Sequence, residues 1–431
     1  MSSASAPKNM SMWGVAALGV GSMVGAGIFS LMGQAALAAG SEVSLSFIIG
    51  GIVALLSGFT YARLGVRYPS SGGIIDYFNT AFGVGTVSGG LSLIYMATLI
   101  MTVAMVSQAF GAYADGLLLQ LGITSPGRTT FAVLVVILLG FVNMLAADLV
   151  GKAELVLVCI KLGILLGLIA IGIPSLDNPH GTHMEPVPLA SLFGSAGLTF
   201  FAYAGYGMMA NASNNLANPA KTLPRAIFIS IGLVMLLYIA LSVVILSQIS
   251  AEELVMHADT AIAQAAAPLL GKTGYIIVAF AALIATSSAI NATLFALLRI
   301  GQGLAQQGEL QKSLAHRIWK KGSWAFLGCL ALILIMSAWF NLGESANIAG
   351  ACFLLSYLSV YVAHWILRRE TKAHPFWIIA GFLAMLAVFV GFMYSLYLNS
   401  PLLVGVIVLV VALCLALEAL IQYRWSTKSK N

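Results

Sequence analysis

Charge is what this sequence has least of. Only 8% of its 431 residues are Asp, Glu, Lys or Arg, while 60% are hydrophobic, a composition that cannot clothe a water-soluble surface. A soluble enzyme or binding module is thereby excluded. Cysteine is scarce as well: Cys159, Cys329, Cys352 and Cys414 all fall in apolar stretches and read as small packing residues, not as a disulfide framework. Carboxylates are absent from mid-membrane depth, with Glu154 near the start of one apolar stretch and Glu418 toward the inner part of the last. A membrane-embedded protease or acyltransferase needs a nucleophile with a base, or metal ligands, at that depth. The one histidine within a span, His364, lies toward an inner end, so no enzyme and no cofactor are expected. His180, His183 and Glu185 have loose metal-ligand spacing inside the Pro- and Gly-bounded segment DNPHGTHMEPVP, which reads as a solvated connection, and no metal site is expected. No polar stripe recurs along several helices as a channel would require.

Hydrophobic runs long enough to cross a hydrocarbon layer ~30 Å thick are what the chain has in abundance. They fall near 12–39, 43–66, 84–113, 129–148, 151–173, 191–211, 226–248, 273–303, 323–341, 345–366, 375–397 and 401–424, twelve spans numbered here in that order. With both termini in the cytoplasm, seventeen of the 20 basic residues lie in inner connections, Arg128 and Lys272 lie outside, and Lys161 lies in the membrane. That asymmetry is the positive-inside rule, and removing any one span would scramble it. The net charge of +6 therefore reports topology and contact with membrane lipid, with no nucleic-acid partner implied. Lys312, His316, Arg317, Lys320 and Lys321 form one such basic inner loop. The first run is too long and too glycine-rich at its centre for a signal peptide and reads as a retained helix.

That centre, LGVGSMVGAGIF over Leu18–Phe29, carries Gly19, Gly21, Gly25 and Gly27 where an ordinary span carries Leu or Ile. Backbone that leaves the helix at this depth must be buried in protein or line a cavity, and N–H groups freed at a half-helix start attract a carboxylate. Span 6 repeats the theme with Phe200-Phe201-Ala202-Tyr203-Ala204-Gly205-Tyr206-Gly207. The alternative is close helix packing, with Gly21 and Gly25 as a GxxxG face and Gly205 and Gly207 allowing contact. Residues 68–83 and 258–271 mix turn and apolar residues and suit short amphipathic helices at the inner and outer surfaces. They follow spans 2 and 7, equivalent places if spans 1–5 and 6–10 are two inverted halves.

These residues resemble the amino acid-polyamine-organocation (APC) superfamily of permeases, on GSMVGAGIF in span 1, YPSSGG after span 2, FFAYAGYG in span 6, Asn218-Pro219-Ala220-Lys221-Thr222-Leu223-Pro224-Arg225-Ala226 after it, and Gln307-Gly308-Glu309-Leu310 after span 8. The resemblance covers nearly the whole chain and implies a leucine-transporter-type fold. The expected architecture is an all-α integral membrane protein of about 12 transmembrane helices, a 5+5 inverted repeat with spans 1 and 6 broken, plus two extra helices. Its units are 12–173, 191–366 and 375–424. The resemblance further implies that a substrate carboxylate meets the N–H groups of Ala26 and Gly27, and that its ammonium meets the carbonyls of Met23, Phe201 and Ala204. Gly21, Gly25, Gly205 and Gly207 would be the helix-break glycines.

Selectivity follows from side chains. Several cation-transporting relatives carry an acid in span 6 after the break, where this chain has Gly207 and Met208. A second positive charge on a substrate would then lack a partner in a low-dielectric site, which favours neutral amino acids over arginine, lysine or polyamines. Phe201, Tyr203 and Tyr206 are candidates to wall the pocket, and Tyr95, Asn291 and Thr293 to meet the substrate side chain. Lys161 lies two to three turns from the inner end of span 5, where snorkelling is strained. In some members of the superfamily a lysine here occupies the place that sodium holds in related transporters, which makes Ser287, Ser288 and the carbonyl of Gly21 or Gly19 its expected neighbours. The expected function is sodium-independent permeation of neutral amino acids across a bacterial inner membrane, by proton symport or by exchange, as a monomer or homodimer. A cationic amino acid or polyamine carrier and a non-transporting amino acid sensor are the alternatives. Primary active transport would need another subunit, since no phosphate-binding loop is present.

Overall fold

The computed structural model describes residues 10–69, 72–146, 151–177, 187–306, 317–319 and 322–428. The motif Gln307–Leu310, the His180, His183 and Glu185 group, and Lys312, His316, Lys320 and Lys321 lie outside the described residues, as does the side chain of Ala26.

The protein is an all-helical membrane protein. Among the described residues its twelve candidate crossing segments are Met12–Ala39, Val43–Arg67, Thr86–Gln120, Arg128–Ala146, Gly151–Gly172, an interrupted sixth of Leu189–Ala202 and Gly207–Asn211, then Pro219–Gln248, the part of Ala261–Gln306 after Gly271, Trp324–Trp339, Leu342–Ile366, Pro375–Asn399 and Pro401–Lys428. Side-chain caps begin several of them by satisfying N–H groups that the first turn leaves orphaned. The Ser11 hydroxyl accepts from Gly14 N–H in span 1, and Asn341 and Glu344 cap each other reciprocally in span 10. Pro219 and Pro375 open spans 7 and 11 at a position where no N–H is needed. Both amphipathic helices expected at the surfaces are present, one at Ile74–Phe82 and one from Ala261 up to Gly271. Gly271 has φ +64°, a left-handed conformation that turns the outer helix into span 8 at little cost because no Cβ is present. The one strand pairing among the described residues is a small antiparallel one of Arg317–Trp319 with Gly322–Ser323, in the connection before span 9.

Two packed groups organise the bundle. Span 1 packs on spans 6 and 7, and span 2 on the same two; span 3 packs on spans 4, 8 and 9, and span 4 also on spans 8 and 9. Span 1 crosses between the groups through its contact with span 8. In the most apolar window of span 10, 78% of residues are buried, against 11% in span 12, so span 12 is peripheral and packs on the bundle along one face, against span 3. Span 11 is less detached: Phe392 and Ser395 fill the space over Gly197 and Gly194 of span 6. Cys329 and Cys352 are core residues as expected, whereas Cys159 is exposed and Cys414 half-buried, on spans whose outer faces need only be apolar.

Candidate functional site

Span 6 stops at Ala202 because Tyr203 leaves the helix (φ −88°, ψ 1°), and a tight turn at Ala204–Tyr206 joins it to the short helix beginning at Gly207. The turn lies directly on span 1. A Cβ at Gly205 would stand 2.5 Å from the Met23 nitrogen, and one at Gly27 would collide with the Ala202 carbonyl. Glycine is therefore required at both positions for the two backbones to touch. Gly207 lies against Tyr357 and Tyr61 side chains.

Span 1 departs from expectation. It runs as one helix from Met12 to Ala39, so the N–H groups of Ala26 and Gly27 stand inside a helix and not at the start of one. The break expected at Gly21 and Gly25 is absent: the helix runs through both glycines, and side chains of spans 5 and 7 reach its carbonyls. The Lys161 ammonium donates to the Gly21 carbonyl at 2.9 Å, and the Tyr238 hydroxyl donates to the Met23 carbonyl at 2.8 Å with the Ala202 carbonyl 3.4 Å away. Each supplies a donor to a carbonyl of a glycine-weakened turn, and Tyr238 ties the two spans together at the interruption. Replacing Tyr238 by Phe is expected to destabilise the protein by about 1 kcal/mol and to weaken substrate affinity a few-fold, measured by thermal unfolding in detergent and by the KM of uptake.

Lys161 is fully buried between spans 1 and 8. A Cβ at Gly25 would lie 3.6 Å from both the Lys161 Nζ and the Ala285 carbonyl and 3.4 Å from Ala289, which places the ammonium where span 1 meets span 8. Ser287 and Ser288 are half-buried on the same turns of span 8. Among the described residues, the other ionisable groups buried to this degree that lie within spans and are not tyrosine or cysteine are His364 and Glu418. His364 sits at the inner end of span 10 between the hydroxyls of Thr60 and Thr371, each 3.1 Å away. Glu418 presses on Gly89 of span 3. Neither supplies a carboxylate to the span 1 and span 6 junction.

An aromatic cluster closes around the turn. Phe201 is 5.2 Å from Phe353 between ring centroids, Tyr206 is 5.6 Å from Tyr61 and 5.9 Å from Tyr357, and Tyr203 is 5.2 Å from Tyr238. The Tyr203 hydroxyl donates to the Phe47 carbonyl at 3.0 Å, so it braces span 2 and is not directed at a ligand. The Tyr357 hydroxyl reaches the Ala204 carbonyl at 3.5 Å. Tyr95 of span 3 faces the same cluster, within electrostatic reach of Tyr61 and Tyr357. Asn291 and Thr293 do not join it: Asn291 accepts from Asn143 of span 4 at 2.7 Å, and the Thr293 hydroxyl donates to Ala289 of its own helix at 2.9 Å. These bonds engage the Asn291 amide oxygen and the Thr293 hydroxyl within the bundle. Sequence reasoning missed Tyr238, Tyr61, Phe353 and Tyr357, because nothing in spans 2, 7 and 10 marks these aromatics apart from others until the helices are packed.

Among the described residues, twelve helical segments, an interrupted span 6 seated on a glycine-rich span 1 and a lysine buried where span 1 meets span 8 are the features of a membrane permease. A model of the amino acid permease family matches residues 10–423, and the chain belongs to that family. It is 45% identical to the inner membrane transport protein YbaT of Escherichia coli K12 over 390 residues, 90% of this chain and 91% of that one. It is 26% identical to the serine/threonine exchanger SteT of Bacillus subtilis, covering 82% of each, and 27% identical to the branched-chain amino acid permease BcaP of Lactococcus lactis, covering 87% of each.

Proposed function

We propose that this protein is a sodium-independent secondary transporter of neutral amino acids in a bacterial inner membrane, with both termini cytoplasmic, working by proton symport or exchange. The observation that carries the reading is the Lys161 ammonium, buried and 2.9 Å from the Gly21 carbonyl at the contact of spans 1 and 8. A cation there satisfies the Gly21 carbonyl that a bound metal ion would otherwise meet, and its amine is the group that would carry a coupled proton. Neutral substrates are supported by the aromatic walls of Phe201 and Tyr206, by the absence of a carboxylate at the junction among the described residues, and by relatives named for serine, threonine and branched-chain amino acids.

The substrate carboxylate would meet Ala26 and Gly27 N–H groups once span 1 loosens between Gly21 and Gly27, and its ammonium would take the carbonyls of Met23, Phe201 and Ala204. Spans 1, 2, 6 and 7 would rock against spans 3, 4, 8 and 9 as two inverted halves. The pairings of span 1 with 6, 2 with 7 and 3 with 8 support that division. The test is uptake by reconstituted vesicles of labelled serine, leucine, arginine and putrescine, with and without an inward proton gradient or unlabelled internal substrate. Neutral amino acids are expected to accumulate; stimulation by the gradient marks symport and by internal substrate marks exchange. Uptake confined to arginine or putrescine, or none at all, contradicts the reading.

A further inference from the structure

One carboxylate outside the central site joins elements that belong to different packed groups. Asp259, in the turn Ala258–Thr260 of the outer connection, accepts from the Gln34 amide of span 1 at 2.9 Å through Oδ1 and from the Arg128 guanidinium of span 4 at 3.3 Å through Oδ2. Span 1 is pressed against the same turn. A Cβ at Gly33 would collide with the Ala258 carbonyl and lie 2.7 Å from its carbon, so the outer connection rests on bare span 1 backbone. A cavity of about 190 Å³ lies on the other side of the ion pair, lined by Gln108, Arg128, Asp259, Ser337 and Asn341 among others.

We propose that Gln34, Asp259 and Arg128 form an outer latch, and that Asp259 is the positioning residue that holds the outer half of span 1 closed over the central site. The inference rests on the rocking of spans 1, 2, 6 and 7 against spans 3, 4, 8 and 9. Three observations carry it. The carboxylate bridges one span from each group, so those groups cannot separate on the outer side without breaking one of its two bonds. The ion pair is weak enough to open: the Arg128 side chain is 62% exposed, Asp259 is 23% exposed, and a solvated pair of this kind biases an equilibrium only a few-fold. Both side chains line the cavity and reach solvent, so water can partner each group when the latch parts.

Glu370, which follows span 10, accepts from the Tyr68 hydroxyl at 2.7 Å and from Arg67 at 3.4 Å, both at the end of span 2, and does not bridge the two packed groups. Burial and the Glu370 hydrogen bond push Tyr68 up to about 12, so it remains a donor at neutral pH. Glu370 therefore serves as the control.

The test places a single thiol beneath the latch. Ser30 is buried in the outer half of span 1, and S30C in a chain whose Cys159, Cys329, Cys352 and Cys414 are alanine reports access from outside to a membrane-impermeant maleimide, with denatured protein giving full labelling. D259N and R128Q are expected to raise the labelling rate roughly three-fold or more, while E370Q does not raise it. Labelling of D259N and R128Q at the parent rate, zero included, overturns the latch. Uptake of labelled serine and leucine is measured in the same vesicles. A latch that responds in vesicles that take up neither would sink the transport reading alone, and uptake with an unresponsive thiol would sink the latch alone.

Discussion

Lys161→Met is expected to lower the rate of amino acid uptake by roughly 10- to 100-fold while leaving the protein inserted and monodisperse. A hydrogen bond to a charged group in the interior is worth about 1.5–3 kcal/mol, and a loss of that size from one conformation shifts its population by a comparable factor. Methionine keeps the length and apolar stem of lysine, so the packing against spans 1 and 8 is retained and the loss falls on the donor to the Gly21 carbonyl. Lys161→Arg separates two roles. Arginine is a permanent cation, so a fixed replacement for a metal ion survives the change in charge terms, whereas a proton that must leave does not. If the lysine is a proton carrier, K161R retains exchange of internal for external substrate and loses stimulation by an inward proton gradient. Wild-type uptake and pH dependence in K161M would show that the buried ammonium is only a packing device.

The second large effect is steric. Gly205→Ala and Gly27→Ala each place a methyl group against the backbone of the partner span, near Met23 and Ser22 in one case and at Ala202 in the other. Backbone cannot rotate aside as a side-chain tip can, so spans 1 and 6 must separate, at a cost of about 1–3 kcal/mol. Uptake is expected to fall at least as far as thermal stability in detergent does, since the carbonyls of Met23 and Ala202 would no longer share the Tyr238 hydroxyl. Gly163→Ala in span 5, with nothing within 4 Å of the new methyl, is the control and is expected to be neutral or slightly stabilising. Equal behaviour of all three variants would mean that contact between spans 1 and 6 is not what the glycines provide.

Much of this arrangement is legible in the sequence because lipid leaves few choices. Runs of apolar residues and the sidedness of lysine and arginine place the twelve spans, and the span 6 interruption falls where Ala204, Gly205 and Gly207 weaken it. The depth of Lys161 is legible from its place in an apolar run, while a partner at the carbonyl of Gly21 or Gly19 is what the family resemblance implies, and the structure has the Gly21 carbonyl. What the sequence conceals is how backbone acceptors are shared. The glycines of span 1 predict a break, yet that helix runs unbroken from Met12 to Ala39 while donors from spans 5 and 7, distant in the chain, reach its carbonyls. Asn291 and Thr293 have the chemistry of ligand contacts, and no local pattern records their bonds to Asn143 and the Ala289 carbonyl. Tyr357 and Phe353 join the site only because span 10 packs over the turn, a relation that no local pattern records.

The central claim is that a lysine, not a sodium ion, occupies the contact between spans 1 and 8, and it is tested most directly by initial rates of labelled serine and leucine uptake into reconstituted vesicles in choline-based and sodium-based media. The account predicts equal rates in both media for the wild-type protein and a severe loss in both for K161M. A wild-type rate that vanishes without sodium would contradict it.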